Sequence, residues 1–107
     1  MDKDMLIHPG EILKEEFLEP HGLNANQLAV RLGVPPNAIT AIINGQRGIT
    51  GPMSMLLGHA FGMSEDFFAH LQTRYELDLA TIDATSNQKS AERLRRADAL
   101  ARELKVA

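Results

Sequence analysis

Asn37, Thr40, Ala41 and Asn44 recur at i, i+3, i+4 and i+7, so on a helix they share one small, mostly polar face. Such a face suits the edges of base pairs. An asparagine amide can bridge adenine N6 and N7, and a threonine or alanine methyl can pack on the thymine C5 methyl, in a DNA major groove wide enough to admit a helix. Either side of this face, Asn26 and Gln27 upstream and Gln46, Arg47 and Thr50 downstream carry groups suited to phosphate oxygens, contacts that set register without reading sequence.

The elements that must hold this face are clearly marked. Ile39, Ile42 and Ile43 form the opposite, apolar side of the same segment. Pro35 and Pro36 set an extended lead-in and a first helical turn that needs no N–H, and Gly45 can end the helix in the left-handed conformation. Upstream, Asn24 and Gln27 have the spacing of a capping box, followed by Leu28, Ala29 and Leu32 as the stripe of a short helix that Gly33 stops. Two short helices joined by Gly33-Val34-Pro35, with apolar faces that must meet, make a helix-turn-helix. Its second helix presents Asn37, Thr40, Ala41 and Asn44 outward.

Charge is arranged around this pair. The chain has 107 residues and a formal net charge of −3, which by itself opposes binding to phosphates. Residues 1–19 hold six acids (Asp2, Asp4, Glu11, Glu15, Glu16, Glu19) against two bases, whereas residues 20–64 hold no acid and only Arg31 and Arg47 as bases. The window cleared of acids contains the whole helix-turn-helix. Few cations accompany it, so non-specific affinity for nucleic acid is expected to be modest.

The remaining signals are helical. Pro9 to Leu18 reads as a first helix with Ile12, Leu13 and Phe17 inward and Glu11, Glu15 and Glu16 outward, broken by Pro20 and Gly22. After Thr50 as N-cap, Met53, Leu56, Leu57 and Phe61 give the apolar side of a fourth helix ended by Gly62. Ser64, Glu65 and Asp66 begin a fifth, whose Phe67, Phe68, Leu71 and Tyr75 form a side that is either buried or a dimer or partner surface, the partner being first of all a second copy. The expected organisation is a helix-turn-helix DNA-binding domain over residues 1–82, a polar linker over 83–89 and an amphipathic helical tail over 90–107, with Leu94, Ala97, Ala101 and Leu104 in a stripe flanked by Arg93, Arg95, Arg96 and Arg102.

Other chemistries find little support. The chain has no cysteine, and His8, His21, His59 and His70 lack the i, i+4 spacing of a helical zinc motif; no metal or cofactor is expected. Glu15 and Glu16 diverge around their helix with no nucleophile nearby, so no enzyme is expected either. No apolar run approaches bilayer length and the first residues lack a signal-peptide profile, which points to a cytoplasmic protein without membrane contact.

HPGEILKEEFLEPHGL, NQLAVRLGVPP, NAITAIINGQRGIT and SEDFFAHLQTRYEL, spaced as they are over about residues 7–78, resemble the HigA family of antitoxins within the phage-repressor-like (XRE, Cro/C1-type) helix-turn-helix proteins. The resemblance implies an all-α, five-helix lambda repressor-like domain. It also implies a homodimer that represses its own operon at a palindromic operator and binds a HigB-type, mRNA-cleaving toxin. A stand-alone XRE-type regulator without a toxin is the alternative, and a protein-interaction module that has lost DNA binding is a third reading. The chain departs from the family pattern at GPMSMLLGHAFGM, where Gly51 and Gly58 would each cost about 1 kcal/mol relative to alanine inside a helix, so a short or loose fourth helix is expected. Ala38 stands where relatives often carry a larger polar residue, and Phe67-Phe68 replaces the more usual Phe-Trp pair.

Overall fold

The structure is a computed structural model that describes residues 2–105, and all regular structure among them is helical. In order, the helices are α1 (Pro9–Ile12), α2 (Ala25–Leu32), α3 (Pro36–Ile43), α4 (Gly51–Phe61), α5 (Phe67–Ser86) and α6 (Gln88–Leu104). The chain divides into two units. One is Ile7–Tyr75; the other comprises the residues from Glu76 onward together with those up to Leu6.

In the first unit, Leu13, Leu18, Leu28, Ala29, Ile39, Ile42, Ile49, Leu57 and Phe68 form the buried core. α1 continues as a π-helical turn, Leu13–Leu18, and then a 3-10 turn, Glu19–His21. An ordinary helix would have faced Ile12, Leu13 and Phe17 inward. The wider π turn bonds i to i+5, which brings Leu18 under Leu13, so both are buried while Ile12 and Phe17 are only half-buried. At α2 the expected capping box is present in both directions: Gln27 N–H donates to Asn24 Oδ1 (2.8 Å) and Asn24 N–H to Gln27 Oε1 (2.9 Å). Gly33, at φ 72°, closes α2 in the left-handed region and lets Val34 N–H reach the Ala29 carbonyl at 3.0 Å.

α4 corrects the apolar pattern. Leu57 is buried and Met53 and Phe61 pack against the core as expected, but Ser54 and Gly58 join the inner side while Leu56 is 39% exposed. The buried Ser54 hydroxyl donates to the Glu65 carbonyl (2.7 Å) and accepts from Ala69 N–H (2.9 Å), so its polarity is satisfied. Nor is the helix loose where Gly58 sits. A Cβ there would come 2.5 Å from the Ser64 carbonyl oxygen, so glycine is what lets the start of α5 close onto α4. Gly51 occupies the first helical position, with nothing within 4 Å of its would-be Cβ.

Of the two roles expected for this side of α5, burial or a partner surface, the structure shows burial for Phe68 and core packing for Phe67 and Leu71. Phe68 is fully buried, in edge contact with Phe17 (5.0 Å between centroids) and Phe67 (5.1 Å). Phe67 and Leu71 pack against the core, and Tyr75 meets the His8 ring edge-on at 5.0 Å. Aromatic area that would otherwise call for a second chain is covered by this one. The expected linker over 83–89 is likewise mostly helical, because α5 runs to Ser86 and α6 starts at Gln88. The break is narrow. Asn87 caps α6, its side chain accepting from Lys89 N–H (2.9 Å) and Ser90 N–H (3.3 Å), a polar run thus serving as a cap rather than a loop. The last two residues of the expected tail, 106 and 107, lie outside the described residues.

Candidate nucleic-acid interface

α3 is held from three sides. Ile39 and Ile42 are fully in the core against α2, leaving Asn37, Thr40 and Asn44 exposed and Ala41 half-buried. From behind, α1 touches the backbone of α3: a Cβ on Gly10 would lie 1.8 Å from the Ile42 carbonyl oxygen. Only glycine permits that approach. After α3, Gly45 turns at φ 73°, and the N–H groups of Gln46 (2.9 Å) and Arg47 (3.2 Å) both return to the Ala41 carbonyl. Further on, Ile49 N–H donates to Gln72 Oε1 of α5 at 2.9 Å, with the Gln72 amide packed against Gly48. The backbone that carries Gln46, Arg47 and Thr50 is therefore fixed at both ends.

The side chains offered are partly committed already. Thr40 Oγ1 donates to the Pro36 carbonyl (3.1 Å), so what remains for a base is its methyl and the acceptor lone pairs of its hydroxyl. Gln27 spends its carbonyl on the capping box and keeps two amide donors, the right polarity for phosphate. Thr50 accepts from Met53 N–H (3.3 Å) as N-cap of α4, leaving its hydroxyl proton to donate outward. Asn26, Gln27, Gln46, Arg47 and Thr50 are all exposed, and Asn26 and Gln27 share a shallow surface hollow with Arg31. Asn44 differs from the others. It lines a cleft of about 340 Å³ with His8, Glu11, Lys14 and Glu15, so although it belongs to the acid-free stretch of sequence it sits in space beside the acidic first segment.

The helix-turn-helix family profile matches residues 14–68, more than half of the chain. Among solved structures, the antitoxin HigA of Pseudomonas aeruginosa with the higBA promoter superposes with a TM-score of 0.72 at 36% identity, over 78% of this chain and 91% of that one. The chain belongs to the HigA family of helix-turn-helix proteins. Virulence-associated protein I of Dichelobacter nodosus is 45% identical over 80 residues, 75% of this chain and 74% of that protein. An uncharacterized HTH-type transcriptional regulator of Escherichia coli, YbaQ, is 36% identical over 93 residues, 87% of this chain and 79% of its own. The family is one of DNA-binding regulators and not of enzymes, and no helix among the described residues is long and apolar enough to cross a membrane.

Three residues that position this HigA-family surface escape sequence reasoning. His8 caps α1, its Nδ1 accepting from Gly10 N–H at 2.9 Å, and burial holds its imidazole below the ordinary value, which keeps that lone pair available. It also lies under Gly45, whose would-be Cβ is 3.8 Å from the His8 ring. A proline after His8 is the signal that could have marked it as a cap. Gly10 had only its place in a first helical turn to show for itself, and Gln72 none, since a glutamine on an amphipathic helix normally faces water. The other histidines have partners too: His21 Nδ1 bonds the Phe17 carbonyl (2.7 Å), His59 meets Glu65 (2.8 Å) and His70 meets Asp66 (3.4 Å).

Proposed function

We propose that this chain is the antitoxin of a HigB/HigA-type toxin–antitoxin module, acting in the cytoplasm. As a homodimer it represses its own operon by binding operator DNA, and it binds and neutralises an mRNA-cleaving toxin. The observation that carries the reading is the exposed, acid-free face of α3, rigidly backed by α1 and α2, in a chain similar to an antitoxin solved with its promoter.

Asn37, Thr40 and Ala41 read base edges, with Asn44 at the margin, where Glu11 and Glu15 disfavour close approach of phosphate. Asn26, Gln27, Gln46, Arg47 and Thr50 set the register on the backbone. With no arginine on the reading face to grip guanine, the contacted pairs are mainly A·T, in half-sites spaced about one helical turn, roughly 10 base pairs. Two experiments test the two halves of the proposal. A gel shift with DNA from upstream of the gene should give a complex that unrelated DNA of equal length does not compete away; equal competition would remove operator recognition. Co-expression with the neighbouring reading frame should relieve the growth arrest that frame causes alone. A neighbour that is harmless and does not co-purify would favour the second reading, a stand-alone regulator, which similarity to an E. coli transcriptional regulator supports.

A further inference from the structure

Asn44 is followed by glycine, whereas Asn24, Asn26, Asn37 and Asn87 are each followed by a bulkier residue. With no Cβ on the next residue, the backbone nitrogen there meets no steric screen on its way to the asparagine side chain. In that reaction the Gly45 nitrogen bonds to Asn44 Cγ, the bond from Cγ to the side-chain nitrogen breaks, and the Gly45 proton departs with that nitrogen as ammonia. Water then adds to one carbonyl of the five-membered imide, the bond from that carbon to the Gly45 nitrogen breaks, and the nitrogen regains a proton. A carboxylate now stands where the amide was, on a normal or a β-linked aspartyl residue.

The folded chain holds this step shut. Asn44 and Gly45 are exposed, but Gly45 N–H donates to the Ile42 carbonyl at 3.0 Å and Gln46 N–H to the Ala41 carbonyl at 2.9 Å. Asn44 stands at ψ 3°, an angle that sets the Gly45 nitrogen alongside the Asn44 nitrogen and not alongside Cβ. Attack therefore needs the last turn of α3 to open, so that Gly45 N–H leaves Ile42 and ψ rotates. Opening costs least at the end of a helix, and DNA seated on α3 would oppose it. The product has the wrong sign for its place. It puts a negative charge at a helix C-terminus, adds a third carboxylate to a cleft that holds Glu11 and Glu15 against Lys14, and faces the phosphates of bound DNA. We propose that Asn44 is a modification site: its deamidation through Gly45, gated by opening of the last turn of α3, irreversibly converts free repressor into a form that no longer holds its operator, while operator-bound repressor is spared.

This rests on operator binding by α3, and it is read by mass as well as by binding so that the two can fail separately. The natural full chain is aged in mildly alkaline buffer below its melting temperature, with and without operator DNA, while peptide masses and operator affinity are followed on the same samples. Exchange of an amide NH2 for OH should appear at Asn44 before Asn24, Asn26, Asn37 or Asn87, should slow several-fold with operator bound, and should run in step with loss of affinity. Asn44→Gln, whose longer side chain closes the ring poorly, should keep its affinity on ageing. Asn44→Asp, with helicity unchanged by circular dichroism, should bind operator at least about tenfold more weakly from the outset. An aged chain with Asn44 intact, equal rates with and without operator, or Asn44→Asp binding as tightly as the natural chain overturns the proposal. A fresh natural chain that does not bind operator overturns the operator reading and the loss of binding with it, and the masses still decide the site.

Discussion

Replacing Gly10 by alanine pits two effects of opposite sign against each other. Alanine is favoured over glycine within a helix by about 1 kcal/mol. Against that, the new methyl would stand 1.8 Å from the Ile42 carbonyl oxygen and 2.6 Å from its carbon. That contact must open to at least 3.0 Å, and the atoms met are backbone, which cannot rotate aside as a side chain can. Overpacking that shifts backbone costs about 1–3 kcal/mol, and this geometry belongs at the upper end. The expected net loss is about 2 kcal/mol. Urea unfolding followed by far-ultraviolet circular dichroism should show a lower midpoint with an unchanged slope, and thermal unfolding a fall of about 8–16 °C. Operator affinity should fall too, at temperatures where the variant is still folded, because the strain enters at the end of the reading helix. Gly51→Ala is the control: no atom lies within 4 Å of its added methyl, so it should be neutral or stabilise by up to about 1 kcal/mol. If Gly10→Ala lay within about 0.5 kcal/mol of the natural chain, the claim that α1 directly backs α3 would be refuted.

Ser54→Ala orphans a buried carbonyl and a buried N–H, and should cost about 2–3 kcal/mol in urea unfolding; a cost under about 0.5 kcal/mol would mean that those bonds contribute nothing. Since burial lowers the folded-state pKa of His8, the unfolded chain takes up the proton first on acidification. The His8 contribution is therefore full above about pH 6.5 and is lost as pH falls through the lower folded value. Comparing melting temperatures across that range, the natural chain should lose more stability than His8→Asn, whose side chain can also cap; parallel curves would contradict the cap. Asn37→Ala or Thr40→Ala should each lower specific operator affinity by about 1–3 kcal/mol for every base edge that is no longer read, whereas Arg47→Ala should weaken all sequences alike and reduce the salt slope by about 1. Titrations at several salt concentrations would separate these, and a changed sequence preference in Arg47→Ala would reverse the assigned roles.

The helix-turn-helix was legible because its signals are local: the Asn24/Gln27 box, the Gly33 stop, the Pro36 start and the isoleucine stripe each act within one turn of chain, and all appear where the residues place them. What escaped depends on contacts between distant segments. Leu18 is buried because a π turn changes the period, and periodicity reasoning assumes the ordinary one. Ser54 reads as surface until the Glu65 carbonyl and Ala69 N–H are brought beside it. Phe68 reads as buried or partner-facing, and only the meeting with Phe17 and Phe67 decides for burial. In the candidate interface, which residues α3 leaves exposed could be read directly, but its backing by Gly10, His8 and Gln72 could not.

The Ser54 hydroxyl stands between Glu65 and Ala69, two residues four apart whose carbonyl and N–H, if bonded to each other, would add one rung ahead of α5. That rung is completed through a neighbouring helix instead. The approach to α5 is thereby tied to α4, while the helix itself opens on its own rung from Asp66 to His70. The Ala69 amide proton consequently reports on docking and not on local helicity. Its solvent exchange should track opening of the whole helix pair, while the amide of His70, one residue on and bonded conventionally to the Asp66 carbonyl at 2.9 Å, should exchange through fraying of α5 alone.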